Sequence, residues 1–121
     1  MKRILLIEDD ELVRTMLRKT LERAGYEVAE APDGRKGIAL QNEKPADLII
    51  TDILMPDQEG LETIIEVTRT FPKMKMIAIS GGGRVDSEYY LRMAKQFGAI
   101  QTFTKPIDRE KLLAAVQELL K

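Results

Sequence analysis

The stretch Leu48-Ile-Ile-Thr-Asp-Ile-Leu-Met-Pro56 decides how the rest of the chain is read. An apolar run bounded by turn residues has the pattern of a strand buried on both faces. It carries one carboxylate, Asp52, at its C-terminal end. In an open parallel sheet that edge is where ligands bind. A lone Asp after a strand is just as compatible with an ordinary loop start. The decision therefore rests on the residues that accompany Asp52 elsewhere in the chain.

Working outward, four more strands are expected. Arg3 to Ile7 is a β-branched and leucine run that stops at Glu8-Asp9-Asp10. Tyr26 to Ala31 alternates as a half-exposed strand does, Met74 to Ile79 is a buried strand ending at Ser80, and Gln101 to Thr104 runs directly into Lys105-Pro106. Apolar residues at helical spacing fall between them: Val13, Met16, Leu17, Leu21 and Ala24, then a short helix over Ile38 to Asn42, then Leu61, Ile64, Ile65 and Thr68. Tyr89, Tyr90, Met93, Ala94 and Phe97 mark a fourth helix, and Leu112, Leu113, Val116, Leu119 and Leu120 a fifth. Asp10 and Asp108 stand where N-caps belong, and Gly25 and Gly98 where helices end. Pro32-Asp33-Gly34 and Met55 to Gly60 carry turn chemistry. Strands and helices alternate about five times, the signature of an α/β doubly wound five-stranded parallel sheet. The order 2-1-3-4-5 puts the first and third strands side by side.

Composition narrows the chemistry. The 121 residues suit one domain, 1–121, with 44% hydrophobic and 32% charged residues and a net charge of −1. No basic patch is dense enough for direct nucleic-acid binding. There is no cysteine and no histidine, which excludes disulfides, thiolate or imidazole metal sites and histidine catalysis on this chain. The apolar run at the start is too short for a signal peptide, and no run could span a membrane, so a cytoplasmic location is expected.

Strand C-termini share one sheet edge. Glu8 and Asp9 follow the first strand, Asp52 ends the third, Ser80 the fourth, and Lys105 follows the fifth. Each signal is ordinary alone. Glu8 to Glu11 could be a solvated helix start, Ser80 a turn residue and Lys105 a surface lysine. Together they converge. Like charges at about 4 Å repel by roughly 4 kcal/mol at an effective dielectric near 20, so something positive belongs among the three carboxylates. An all-oxygen donor set suits a hard cation such as Mg2+, which takes one or two carboxylates and leaves room for phosphate oxygens. With an ammonium from Lys105 and a hydroxyl from Ser80, the edge suits a phosphoryl group, and Asp52 can act as nucleophile to form an acyl phosphate.

With those motifs in place, the sequence resembles a two-component response-regulator receiver domain, the family of the chemotaxis response regulator. The matching pieces are Ile4-Leu-Leu-Ile-Glu-Asp-Asp10, Thr51-Asp-Ile-Leu-Met-Pro56, Ile77-Ala-Ile-Ser-Gly81 and Thr104-Lys-Pro106, in the family's order and across essentially the whole chain. The resemblance implies a flavodoxin-like receiver fold with Asp52 as phosphoacceptor. It implies Asp9 as a direct Mg2+ ligand, Glu8 acting through water, and the Leu54 carbonyl as a further ligand. Ser80 and Lys105 match the hydroxyl and ammonium that engage the phosphoryl group, and the bond to Pro106 is expected to be cis. The donor would be a phosphohistidine on a sensor histidine kinase, and the output partner an unidentified protein or domain. The receiver would be a monomer or a dimer formed on phosphorylation.

Three departures carry expectations. Thr102 stands at the usual aromatic switch position, and Phe103 beside it should face the other side of the sheet. Leu54 and Gly82 stand where members that lose phosphate quickly carry polar side chains, so a long-lived phosphoryl state is expected. Gly81 is small enough to admit small donors such as acetyl phosphate. Two rivals fit less well. A flavin mononucleotide binder would need a phosphate loop where Glu8 and Asp9 stand. An aspartate-nucleophile phosphatase would need a general acid near Leu54 and a substrate cap.

Overall fold

The computed structural model describes residues 1–53, 59–81 and 87–121, with backbone alone for residues 59, 60, 87, 88, 90 and 91. The elements run β1 (Arg3–Ile7), α1 (Glu11–Arg23), β2 (Glu27–Ala31), α2 (Gly34–Glu43), β3 (Leu48–Asp52), α3 (Glu59–Thr70), β4 (Lys75–Ser80), α4 (Ser87–Phe97), β5 (Gln101–Thr104) and α5 (Arg109–Leu119). All strands pair in parallel in the order β2-β1-β3-β4-β5. The expected alternation, sheet and strand order are therefore all present.

Strand β3 is buried along its whole length, as its apolar run requires. Its residues divide by the pleat. Ile49 joins Leu5, Ile7, Met76 and Ala78 in a core under α2, α3 and α4. Leu48 and Ile50 join Ile4, Leu6, Ile77 and Ile79 in a second core under α1 and α5. Leu17 and Leu21 of α1 are fully buried in that second core, each worth about 1.5–3 kcal/mol relative to exposure. Asp10 caps α1 by accepting from the N–H groups of Leu12 and Val13, and Asp108 caps α5 in the same way through Glu110 and Lys111. Gly25, at φ +99°, turns the chain out of α1 into β2, a conformation that other residues resist.

Helical faces differ in places from the periodicity. In α3 the buried residues are Leu61, Thr63, Ile64 and Val67, whereas Ile65 is 38% exposed. One residue along a helix turns the side chain by about 100°, so Ile64 and Ile65 cannot share the centre of one face. Tyr89 of α4 is likewise exposed, and Ala94 takes the buried position. Helix α2 begins at Gly34, four residues before the expected start, because Asp33 caps it by accepting from the Lys36 N–H. Phe103 packs into the core under α1 and α5, and the pleat turns Thr102 to the opposite face, as expected.

Two glycines make α2 a poor helix by propensity, yet Gly37 has a packing reason. A Cβ there would lie 2.7 Å from Cγ1 of the fully buried Ile7. Gly37→Ala is expected to destabilise the protein by about 1–3 kcal/mol through overpacking, despite alanine's helical advantage of up to about 1 kcal/mol. Urea denaturation measures the difference, and a stabilised variant would contradict the close approach of α2 to β1.

Candidate functional site

The C-terminal ends of β1, β3 and β4 and the segment after β5 meet at one edge. Glu8 follows β1 and is fully buried, held by its N–H donating to the Ala31 carbonyl at 3.0 Å. Asp9, next along, is exposed. Asp52 ends β3 at 3% exposure, and Ser80 ends β4 fully buried. The Lys105 N–H donates to the Ser80 carbonyl at 2.8 Å, which extends the β4–β5 pairing and draws the lysine to the same edge. The Lys105–Pro106 bond is cis, as the resemblance implied.

Lys105 is the electrostatic pivot. Its Nζ lies 2.8 Å from Glu8 Oε1 and 3.0 Å from Asp52 Oδ2, so one ammonium bridges two buried carboxylates. The Asp10 N–H donates to Glu8 Oε2 at 3.0 Å. Burial pushes the Glu8 carboxyl up to about 8, with the Asp52 charge adding to the rise, against the pull of Lys105 and the Asp10 N–H. Burial alone would lower the Lys105 ammonium, but its two carboxylate partners outweigh that and raise it. Carboxylate oxygens of Glu8, Asp9 and Asp52 lie within 4.8 Å of one another. Three oxygen donors of hard character, with no sulfur or imidazole, fit a cation of the Mg2+ type.

Glu8, Asp9, Asp52, Ser80 and Lys105, all named from the sequence, thus lie at this edge, with Glu8, Asp52 and Lys105 in direct contact. Leu54 and Gly82 lie outside the described residues. Arg14 was not anticipated. Read from periodicity it belongs to the polar face of α1, but its Nη1 donates to the Glu8 carbonyl at 2.9 Å. No local pattern in the sequence marks a side chain that folds back across a loop.

The response regulator receiver domain family model matches residues 4–117. The response regulator receiver protein CpdR of Brucella abortus is 42% identical over 81 residues, covering 67% of this chain and 68% of that protein. The chemotaxis protein CheY of Thermotoga maritima is 31% identical over 121 residues, covering 99% of this chain and 98% of that one. A CheY-like receiver domain structure from Methanospirillum hungatei superposes with a TM-score of 0.86 at 30% identity, covering 98% of this chain and 92% of that one. With this sheet, this edge and these matches, the chain belongs to the response regulator receiver domain family, the receivers of two-component systems. Members occur both as single-domain proteins and within longer regulators. The chain spans 26% and 49% of two curated transcriptional regulatory proteins that it matches. Among the described residues, no helix is long and apolar enough to cross a membrane.

Proposed function

We propose that Asp52 accepts a phosphoryl group from a phosphohistidine on a partner sensor kinase, in a Mg2+-dependent reaction, and that the modification alters a partner-binding surface. The observation that carries this reading is the Lys105 ammonium shared between buried Glu8 and Asp52, with Asp9 completing the acidic cluster. An Asp52 carboxylate oxygen forms the new P–O bond as the donor's P–N bond breaks and the imidazole leaves. The Lys105 ammonium and the Ser80 hydroxyl neutralise and orient the phosphoryl oxygens. Asp9 and Asp52, with Glu8 through water and the Leu54 carbonyl, would hold Mg2+, which would supply charge neutralisation to the same oxygens.

Phosphorylation adds charge and acceptor oxygens beside Ser80 and Lys105. Moving a two-state switch from mostly off to mostly on takes about 5.5 kcal/mol of differential interaction, and charge-assisted bonds to the phosphoryl group are of the right kind to contribute. The receiver catalyses its own phosphorylation and a slow loss of phosphate. It works in the cytoplasm as a monomer or as a dimer formed on phosphorylation, delivering its signal to a separate protein or to a domain of a longer regulator. It does not itself contact nucleic acid or membrane.

Phosphotransfer profiling against the host's histidine kinases, with and without Mg2+, tests the donor and the metal requirement together. Absence of transfer from every kinase and from acetyl phosphate would overturn the reading. With leucine at position 54 and glycine at 82, neither side chain can orient an attacking water. The phosphorylated, Mg2+-supplemented protein is expected to keep its label for minutes or longer. Complete loss within a few seconds would contradict this.

A further inference from the structure

We infer that Arg14 is a positioning residue for the acidic cluster: by clamping the Glu8 carbonyl against β2, it sets the direction in which Asp9 presents its carboxylate. This rests on reading Glu8, Asp9 and Asp52 as the cation site. The Glu8 carbonyl and the Asp9 N–H belong to one rigid peptide plane. Fixing that oxygen fixes the plane and constrains the rotation that aims the Asp9 side chain. Arg14 Nη1 donates to this carbonyl at 2.9 Å, while Arg14 Nε donates to Glu30 Oε1 at 3.0 Å. Its side chain is only 15% exposed. Glu30 is the penultimate residue of β2, and its other oxygen pairs with Arg18 Nε at 2.6 Å.

The clamp closes a small ring of interactions. The Asp10 N–H donates to the Glu8 carboxylate, the Arg14 N–H donates to the Asp10 carbonyl, and the Arg14 guanidinium returns to the Glu8 carbonyl. Glu8 is thus held at both its carboxylate and its carbonyl. Asp9 is exposed and carries no burial of its own to hold it. Apart from its side-chain contact with Glu8, its nearness to Glu8 and Asp52 depends on the backbone that presents it. A guanidinium suits the task because its planar fork reaches two acceptors at fixed angles, which an ammonium does not.

Charge and geometry predict opposite signs, which makes the inference testable. A positive side chain near a cation site repels the cation, so by charge alone Arg14→Met should tighten Mg2+ binding. As a positioning residue, Arg14 should do the reverse on removal, since loss of an outer partner of a metal site weakens affinity by about tenfold or more. Calorimetric titration of the unphosphorylated full chain with Mg2+ reads this without reference to phosphotransfer. Arg14→Met is expected to weaken binding by about tenfold, and Arg14→Lys, which keeps the charge but loses the fork, to weaken it severalfold. Arg18 pairs with Glu30 and Glu22 without touching Glu8, so Arg18→Met controls for stability. It should shift the melting temperature while leaving Mg2+ affinity at the wild-type value. Unchanged or tighter binding in Arg14→Met, or equal weakening in Arg18→Met, would overturn the role of Arg14 alone. A wild-type chain that binds no Mg2+ would overturn the cation-site reading, and this inference with it.

Discussion

Asp52→Asn is expected to abolish acceptance of a phosphoryl group from acetyl phosphate. The amide matches the carboxylate in size, so the packing at the end of β3 is retained, and Ile53 continues the backbone with its N–H on the Ile79 carbonyl at 2.9 Å. What is lost is the anionic oxygen proposed to attack phosphorus, and an amide oxygen is no substitute as a nucleophile. Lys105 keeps Glu8 as partner at 2.8 Å, so the ammonium is not stranded. The expected result is no label above background in a chain that melts cooperatively. Intact-mass measurement after incubation with acetyl phosphate and Mg2+ checks it. Labelling of the variant at the wild-type level would refute Asp52 as the acceptor.

Lys105→Met should produce the largest change in stability. The ammonium bridges two carboxylates whose side chains are 1% and 4% exposed, and methionine replaces it with an apolar chain of similar length. Breaking such an arrangement leaves uncompensated buried charge, at a cost of about 3 kcal/mol or more. The deficit should depend on pH in a definite sense. A carboxyl raised in the folded state from 4.5 to about 8 makes the folded protein bind more protons than the unfolded chain between those values. The contribution of Glu8 to stability is then highest in acid and is lost as pH rises toward 8. Without the ammonium, which acts to lower the Glu8 value, this loss grows. The variant should therefore lie nearer wild type at about pH 5 than at about pH 9. Mg2+, another positive charge for the same oxygens, should recover part of the deficit at the higher pH. Urea denaturation at both values, with and without Mg2+, measures all three effects. Wild-type stability in the metal-free variant at high pH would show that Lys105 does not compensate the two acids.

The legible part of the site came from residue types at strand ends. Glu8, Asp9, Asp52, Ser80 and Lys105 each follow or close a recognisable strand, and a parallel sheet collects such positions at one edge. The less legible part concerns neighbours within a short segment. By residue type alone Glu8 and Asp9 are two adjacent acids, told apart only by what the resemblance implied, yet one is fully buried and the other exposed. Ile64 and Ile65 read as two core residues, and only Ile64 is buried. A one-residue difference in facing depends on how an element is rotated against the sheet, which hydrophobic spacing constrains only loosely.

By itself the sequence determined the alternation of strands and helices, the caps at Asp10 and Asp108, and the residues delivered to the sheet edge. These depend on side-chain period and on bonds spanning two or three residues, so they can be read locally. Only the tertiary structure decided that Lys105 joins Asp52 across 53 positions, that it also joins Glu8, and that Arg14 reaches the Glu8 carbonyl while tied to Glu30. The physical reason is that these contacts are set by the approach of separate strands and helices. Electrostatics in a buried site depends on those distances rather than on the spacing of residues along the chain.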